Sequence, residues 1–326
     1  MAQHAPGEVL DSYRLEQQLG EGAYAQVFLA VDTRDGRQVV LKLAREELFG
    51  DPGLFQRYRR EAEIARRLDH PGVQRALDDG HSRSAPYLVL EYVDGDSLRK
   101  RLSAGPLAVD LALDWARQLA DALAYLHEHG VVHRDLKPDN VIVRKDGRLC
   151  LTDFGTALAE GVRRLTWKGL TEAIGTPDYM SPEQIQGGRG DARSDVYAWG
   201  IVAFELFCGR VPFSGDGPLA VMAAHLGADP PRLRSLRPEV PASVEAVVLR
   251  AMRRYPEHRY ADGRELAADL ARLDTLDPSS FDLSPEPPML GSGAADSRRL
   301  ALVVVGIAVG FLALAAVAVI LAVVLR

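Results

Sequence analysis

The sequence predicts an α+β chain, and three observations carry that expectation. From Tyr13 to Leu43, short β-like runs are broken by glycine, as in hairpin-forming strands. Beyond residue 107 the apolar positions change to a period of 3.6, the signature of buried helices. The chain then closes on Leu300 to Leu325, a run without a charged or strongly polar residue.

At 326 residues the chain is long enough for one large domain or two ordinary ones, with a substantial core. Its formal charge of −6 argues against a nucleic-acid partner, because such proteins present a net basic face to phosphates. Cys150 and Cys208 fit neither a disulfide framework nor a zinc-ligand spacing, so both are expected as buried small hydrophobes in a reducing compartment. Residues 1–7 lack the basic region and apolar run of a secretory signal, which places the start of the chain in the cytoplasm.

In chain order, Leu19, Gly20, Glu21, Gly22, Ala23, Tyr24, Ala25, Gln26 and Val27 form a glycine-rich turn whose backbone N–H groups can approach a triphosphate closely. Val27 to Val31 and Gln38 to Leu43 read as a hairpin around Asp35-Gly36. Lys42 lies inside the apolar second run and therefore needs an anionic partner. Glu61, in the helical stretch Leu54 to Leu68, can supply it; Glu63 lies about 200° further around that helix and cannot face the same lysine. Tyr87 to Gly95 is an apolar strand running into a polar turn. Leu107 to His129 is a long helix with Leu111, Trp115, Leu119, Ala122 and Leu126 on its buried face.

A second hairpin joins Val141-Ile142-Val143 to Leu149-Cys150-Leu151 through Asp146-Gly147. Ser194 opens a strongly apolar helix reaching Cys208, where Asp195 can act as an N-terminal carboxylate. Ser243 to Tyr255 and Gly263 to Leu273 complete the helices. Residues 275–299 turn to Pro, Ser, Gly and Asp and read as a flexible linker. The run 300–325 then makes roughly 39 Å of helix, more than the ~30 Å apolar slab of a bilayer, so it is expected to span a membrane. Arg298 and Arg299 before it put the preceding region on the cytoplasmic side, with only Arg326 beyond it. Gly306 and Gly310 have the spacing with which two spans can pack, which allows a homodimer.

The chemistry converges on His133-Arg134-Asp135-Leu136-Lys137-Pro138-Asp139-Asn140. One short loop holds a carboxylate to orient and accept the proton of a hydroxyl, a cation to offset charge on a moving phosphoryl group, and a carboxamide oxygen for magnesium. These eight residues resemble the catalytic loop of the eukaryotic-like protein kinase family, and closely that of its bacterial transmembrane serine/threonine branch.

The resemblance covers roughly residues 13–274 and implies a two-lobed fold, a small antiparallel β lobe with one helix (13–93) over a larger helical lobe (94–274), after a tail of residues 1–12. ATP would lie between the lobes. The resemblance implies that Asp135 orients or deprotonates the hydroxyl, that Lys137 sits beside the γ-phosphate, and that Asn140 and Asp153 hold Mg²⁺, with Mn²⁺ acceptable to the same oxygens. Asp153-Phe154-Gly155 supplies that second ligand. Lys42 would hold the α- and β-phosphates and pair with Glu61. Leu90 is the implied gatekeeper and Glu91 to Val93 the hinge that reads adenine, an assignment resting on likeness alone; Val40 and Ile142 join the ATP site. Ala25 replaces the third glycine of the family's loop, which implies a slightly stiffer lid.

Residues 156–183 match the activation segment, with Ser181 where the family has alanine. Thr171, then Thr166, are the expected phosphosites, and Arg134 the clamp for the phosphate. Lys137 and Thr176 resemble the serine/threonine class. Asp195 would hold the backbone of the catalytic loop, and Arg259 would pair with Glu183. The expected activity is transfer of the γ-phosphoryl of ATP to Ser/Thr hydroxyls of proteins, including the chain's own activation loop. A pseudokinase usually lacks one of the lysine or aspartate positions that are all present here, and a small-molecule kinase lacks the segment ending in Glu183.

Overall fold

The computed structural model describes residues 4–21, 25–44, 65–78, 87–153 and 177–289. Gly22, Ala23, Tyr24, Glu61, Thr166, Thr171, Thr176 and the apolar run 300–325 lie outside them. Among the described residues, no helix is long and apolar enough to cross a membrane.

The smaller lobe is a six-stranded antiparallel sheet of β1 (Val9–Leu10), β2 (Tyr13–Glu21), β3 (Ala25–Asp32), β4 (Gln38–Ala44), β5 (Ala76–Asp78) and β6 (Tyr87–Glu91), in the order β1-β2-β3-β4-β6-β5. The hairpin read at Asp35-Gly36 joins β3 and β4, and Gly36 takes the left-handed φ of 77° that a side chain would resist. Pleat alternation divides the sheet. Phe28, Ala30, Val39, Leu41, Leu43, Tyr87 and Val89 build a separate core on one face. Val40, Leu88 and Leu90 point the other way and join the main core, with Val27 packed against it; Lys42, opposite Val27 and Leu88 in register, stands on that same cleft-side face. Gln26 shares the face of Phe28, so its side chain turns away from Lys42. The expected tail is part of this sheet from Gly7 onward, since Gly7 N–H donates to the Leu15 carbonyl at 2.7 Å and β1 pairs with β2.

A three-stranded sheet, β7 (Gly95–Ser97), β8 (Val141–Arg144) and β9 (Leu149–Leu151), floors the larger lobe. Its helices are α1 (Leu98–Leu102), α2 (Val109–Glu128), α3 (Pro182–Ile185), α4 (Ala192–Cys208), α5 (Pro218–Gly227), α6 (Leu233–Leu236), α7 (Ala242–Ala251) and α8 (Gly263–Ala271). In α4 every residue from Ser194 to Phe207 is buried, so it forms the axis on which the others pack. Asp191 caps its start and Gly209, with φ 69°, its end. Trp199, fully buried, donates its indole N–H to the Ala116 carbonyl at 2.9 Å, which satisfies the one polar atom of that ring. The buried face of α2 runs through Ala112, Trp115, Leu119, Ala122 and Leu126; Leu111, expected there, is 40% exposed because the first turn presents Ala112 instead.

The stretch expected as a flexible linker is corrected over residues 275–289, which lie docked on the larger lobe. Leu276, Phe281 and Leu283 pack against its core, and Met289 N–H donates to the Leu226 carbonyl at 2.9 Å. Glu286 is buried among basic side chains, 3.0 Å from Arg253 and 2.5 Å from His258, with Arg254 donating to its backbone carbonyl. The polar composition concealed three well-spaced apolar anchors and one paired carboxylate.

Candidate active site

The loop between α2 and β8 holds its functional groups in direct contact. Lys137 Nζ lies 2.8 Å from Asp135 Oδ2. Asn140 Nδ2 donates to the same carboxylate at 3.1 Å and to the Asp135 carbonyl at 2.8 Å, which leaves the amide oxygen as the atom available to a cation. Two of the three non-glycine residues with left-handed φ among those described are here, Arg134 at 64° and Asp153 at 58°. Such strain persists only where neighbours over-determine the backbone.

Those neighbours can be named. Asp195 receives the N–H groups of His133 and Arg134, each at 2.6 Å. Of its two expected roles, the loop-holding one is therefore realised, while Asp191 performs the capping. His127 Nδ1 accepts the Gly263 N–H at 2.9 Å, so its Nε2 carries the proton and donates to Asp195 at 2.9 Å. His133 accepts the Asp135 N–H at Nδ1 (3.3 Å) and donates from Nε2 to the Thr152 carbonyl at 3.1 Å. Thr152 N–H in turn donates to the Asn140 carbonyl at 2.8 Å, which ties Asp153 to the loop one residue away.

Lys42 Nζ is bonded to Asp153 Oδ1. The Lys42 ammonium holds the Asp153 carboxyl below the ordinary carboxylate range against the opposing effect of burial, and the Lys137 ammonium reinforces it. The carboxylate is thus ionised and ready for a cation. Glu61, the expected partner of Lys42, lies outside the described residues. Two oxygens, Asn140 Oδ1 and an Asp153 carboxylate, fit a hard cation that takes its remaining ligands from phosphates and water; among the described residues no cluster of three or more His, Cys, Asp or Glu offers a metal site by itself.

Around the cleft, Leu19 sits at a bulge where the β2–β3 register shifts, next to exposed Gly20 and Glu21. Leu90 and Val93 are buried and Glu91 is half-buried. Ile142 is half-buried on the face of β8 opposite Val141 and Val143, which belong to the helical core. Ala25 begins β3. Arg259, fully buried, makes two hydrogen bonds to Glu183, at 2.8 and 2.9 Å. Burial pushes the Glu183 carboxyl up, but the Arg259 guanidinium outweighs it and holds the group below its ordinary value.

The sequence did not single out several supports. His127, Thr152 and Gln184, whose amide reaches the Arg134 carbonyl at 3.0 Å, act over long separations that no local pattern encodes. Ser181 followed three residues on by Gln184 is a readable helix-start pattern, and Gln184 Oε1 does accept the Ser181 N–H at 3.1 Å. Arg99 links Asp139 of the loop to Glu205 and Tyr179, at 3.3, 2.9 and 2.7 Å.

Comparison with known proteins agrees with this geometry. Residues 13–249 match the family described as Protein kinase domain. The chain is 40% identical over 263 residues to a probable serine/threonine-protein kinase of Streptomyces coelicolor, covering 79% of this chain and 39% of that one. It is 38% identical over 273 residues to the serine/threonine-protein kinase PknB of Mycolicibacterium smegmatis (82% and 44%) and 36% identical over 281 residues to PrkC of Bacillus subtilis (85% and 43%). It thus spans less than half the length of these relatives. The crystal structure of the Mycobacterium tuberculosis PknI kinase domain superposes with a TM-score of 0.62 at 28% identity, covering 83% of this chain and all of that one. With a catalytic loop, a paired lysine and aspartate and two lobes in the family arrangement, the chain belongs to the protein kinase family, in its bacterial Hanks-type serine/threonine branch.

Proposed function

We propose that the protein is a serine/threonine kinase that transfers the γ-phosphoryl group of ATP to protein hydroxyls, including those of its own activation segment. The observation that carries this reading is the contact of Asp135 with both Lys137 and Asn140, one hydrogen-bonded residue away from the Lys42–Asp153 pair. Asp135 orients the acceptor hydroxyl and takes its proton as oxygen attacks the γ-phosphorus and the bond to the β-phosphate oxygen breaks. Lys137 offsets the charge carried by the moving phosphoryl group. Lys42 grips the remaining phosphates. Asn140 and Asp153 would hold Mg²⁺ or Mn²⁺, which when bound neutralises charge on the β- and γ-phosphates. Glu61 would orient Lys42, and Leu19 to Val27, Val40, Leu90, Glu91, Val93 and Ile142 would enclose the nucleotide.

The finer reading is that residues 300–325 tether the kinase to the cell membrane as a single span with its lobes on the cytoplasmic side, supported by the length of the apolar run and by Arg298 and Arg299. A homodimer through Gly306 and Gly310 fits the same reading. Phosphate on Thr171, or on Thr166, would be gripped by Arg134.

Full-length protein with radiolabelled ATP, Mg²⁺ and a generic acceptor protein tests the activity, beside Lys42→Ala and Asp153→Ala. Label on seryl and threonyl residues in wild type alone is expected, with phosphosite mapping reading Thr171 and Thr166. Wild type labelling no better than both variants removes the reading.

A further inference from the structure

The hinge between the lobes is held from behind by side chains outside the site described above. Glu91 closes β6, and all three of its polar groups are engaged. Its N–H donates to the Arg75 carbonyl at 2.9 Å, its carbonyl accepts from the Gln74 carboxamide at 2.9 Å, and its carboxylate accepts from Arg144 Nη2 at 2.8 Å. Arg144 belongs to the other lobe. It ends β8, where its N–H donates to the Arg148 carbonyl at 2.8 Å and it pairs in register with Gly95. The Arg144–Glu91 pair therefore crosses from one sheet to the other along the back of the hinge.

Two further observations locate the same restraint. A Cβ on Gly95 would come within 2.1 Å of the Val143 carbonyl oxygen, so the chain leaving the hinge lies directly against the β8 backbone. Arg144 also touches Cys150 Sγ at 3.3 Å, but burial pushes that thiol up to about 11, so it stays neutral near pH 7 and Glu91 is the anion that meets the guanidinium. The pair is 25% and 28% exposed, in contrast to the neighbouring Lys145–Asp94 pair at 78% and 56%.

We propose that Arg144 is a positioning residue for base recognition: by fixing Glu91 against β8 it sets the hinge edge that selects an adenine over a guanine nucleotide. Gln74 occupies one lone pair of the Glu91 carbonyl and leaves the other for a base amino group, which adenine offers at its six-membered ring and guanine replaces with an oxo group. This rests on the nucleotide-binding reading given above.

Full-length wild type, Arg144→Gln, Arg144→Lys and, as the exposed control, Lys145→Gln are compared for KM and kcat with ATP and GTP. Binding of a fluorescent ATP analogue is measured separately. Arg144→Gln is expected to raise KM for ATP about fivefold with kcat within about twofold, and to lower the ATP:GTP preference by a similar factor, the size expected for a half-buried ion pair. Arg144→Lys should recover most of the loss, and Lys145→Gln should stay within about twofold. If Arg144→Gln does not fold, Glu91→Gln breaks the same pair from the other end while keeping the backbone carbonyl, and the same shift is expected. Unchanged KM and nucleotide preference in the folded variant overturns the assignment, as does an equal loss with both nucleotides that lysine does not rescue. Wild type that binds no ATP analogue would instead remove the nucleotide reading beneath it.

Discussion

Asp195 and Arg134 stand far apart in the chain, yet the Asp195 carboxylate receives the Arg134 N–H at 2.6 Å while Arg134 holds a left-handed φ of 64°. The adjacent His133 N–H reaches the other carboxylate oxygen at the same distance. The first turn of the most buried helix thus sets the shape of the catalytic loop. Asp195→Ala should leave three donors without their acceptor, the His133 and Arg134 N–H groups and the His127 Nε2–H, at about 1–3 kcal/mol for each that is buried, and let Arg134 relax from its strained conformation. A lower urea midpoint together with lost phosphotransfer is expected; a variant with wild-type activity would show that the loop holds its own shape.

Asp135 receives hydrogen bonds from Lys137 and Asn140. Asp135→Asn keeps one oxygen for them, so the loop should stay folded while the proposed proton acceptor is lost. A fall in kcat of about 10²–10⁴ with nearly unchanged ATP affinity is expected, and single-turnover kinetics beside calorimetric ATP binding separate the two effects.

Arg259 holds the Glu183 carboxyl below its ordinary value of 4.5. A group whose pKa is depressed on folding contributes stability above its unfolded value, and loses that contribution as pH falls through its folded value. The pair should therefore stabilise fully above about pH 4.5 and fade below it. Arg259→Leu strands a largely buried carboxylate, at a cost of about 3–5 kcal/mol near neutral pH, and should flatten the acid limb of a stability-against-pH curve. Urea melts from neutral to acid pH check both statements.

Glu286 anchors the docked stretch 275–289 with a side chain only 4% exposed. Glu286→Ala removes the carboxylate that Arg253 and His258 face and that accepts the Arg254 N–H. The stretch should come free while the lobes stay folded, and limited proteolysis should then cut within residues 282–289 much faster than in wild type. Equal cutting rates would mean that Leu276, Phe281 and Leu283 suffice to hold it.

The catalytic loop, the hairpins and the long helices were legible because their signals are local. Period and turn chemistry mark Gly36 and Gly147, and eight adjacent residues carry the loop's chemistry. What holds the loop in place was less so. Asp195 admitted two readings, because a carboxylate in the first turn of a helix is itself favourable, and only the position of His133 and Arg134 in space decides between them. The docked stretch was missed for a related reason. Proline, serine and glycine set its composition, whereas four side chains, Leu276, Phe281, Leu283 and Glu286, set its energy through contacts with residues that are distant in the chain. His127, between the Asp195 carboxylate and the Gly263 N–H, and Gln74, on the Glu91 carbonyl, likewise act on partners that no pattern of neighbours could indicate.

His225 provides a final test at milder pH. It is 1% exposed in α5, with Nδ1 2.7 Å from the Tyr197 hydroxyl and its ring 4.6 Å from that of Phe213. Burial lowers its pKa from 6.5 to about 4. Between those values the unfolded chain takes up a proton that the folded chain refuses, so stability must fall as pH drops from about 6.5 and level off near 4. The whole drop amounts to roughly 3 kcal/mol. Most of this window lies above the range in which Glu183 begins to lose its contribution, so a slope at pH above about 5 is assigned to the imidazole. His225→Phe fills the same aromatic pocket without a titrating group. Its urea midpoint should be nearly flat between about pH 6.5 and 5, where wild type declines; parallel curves would place the proton uptake on another residue.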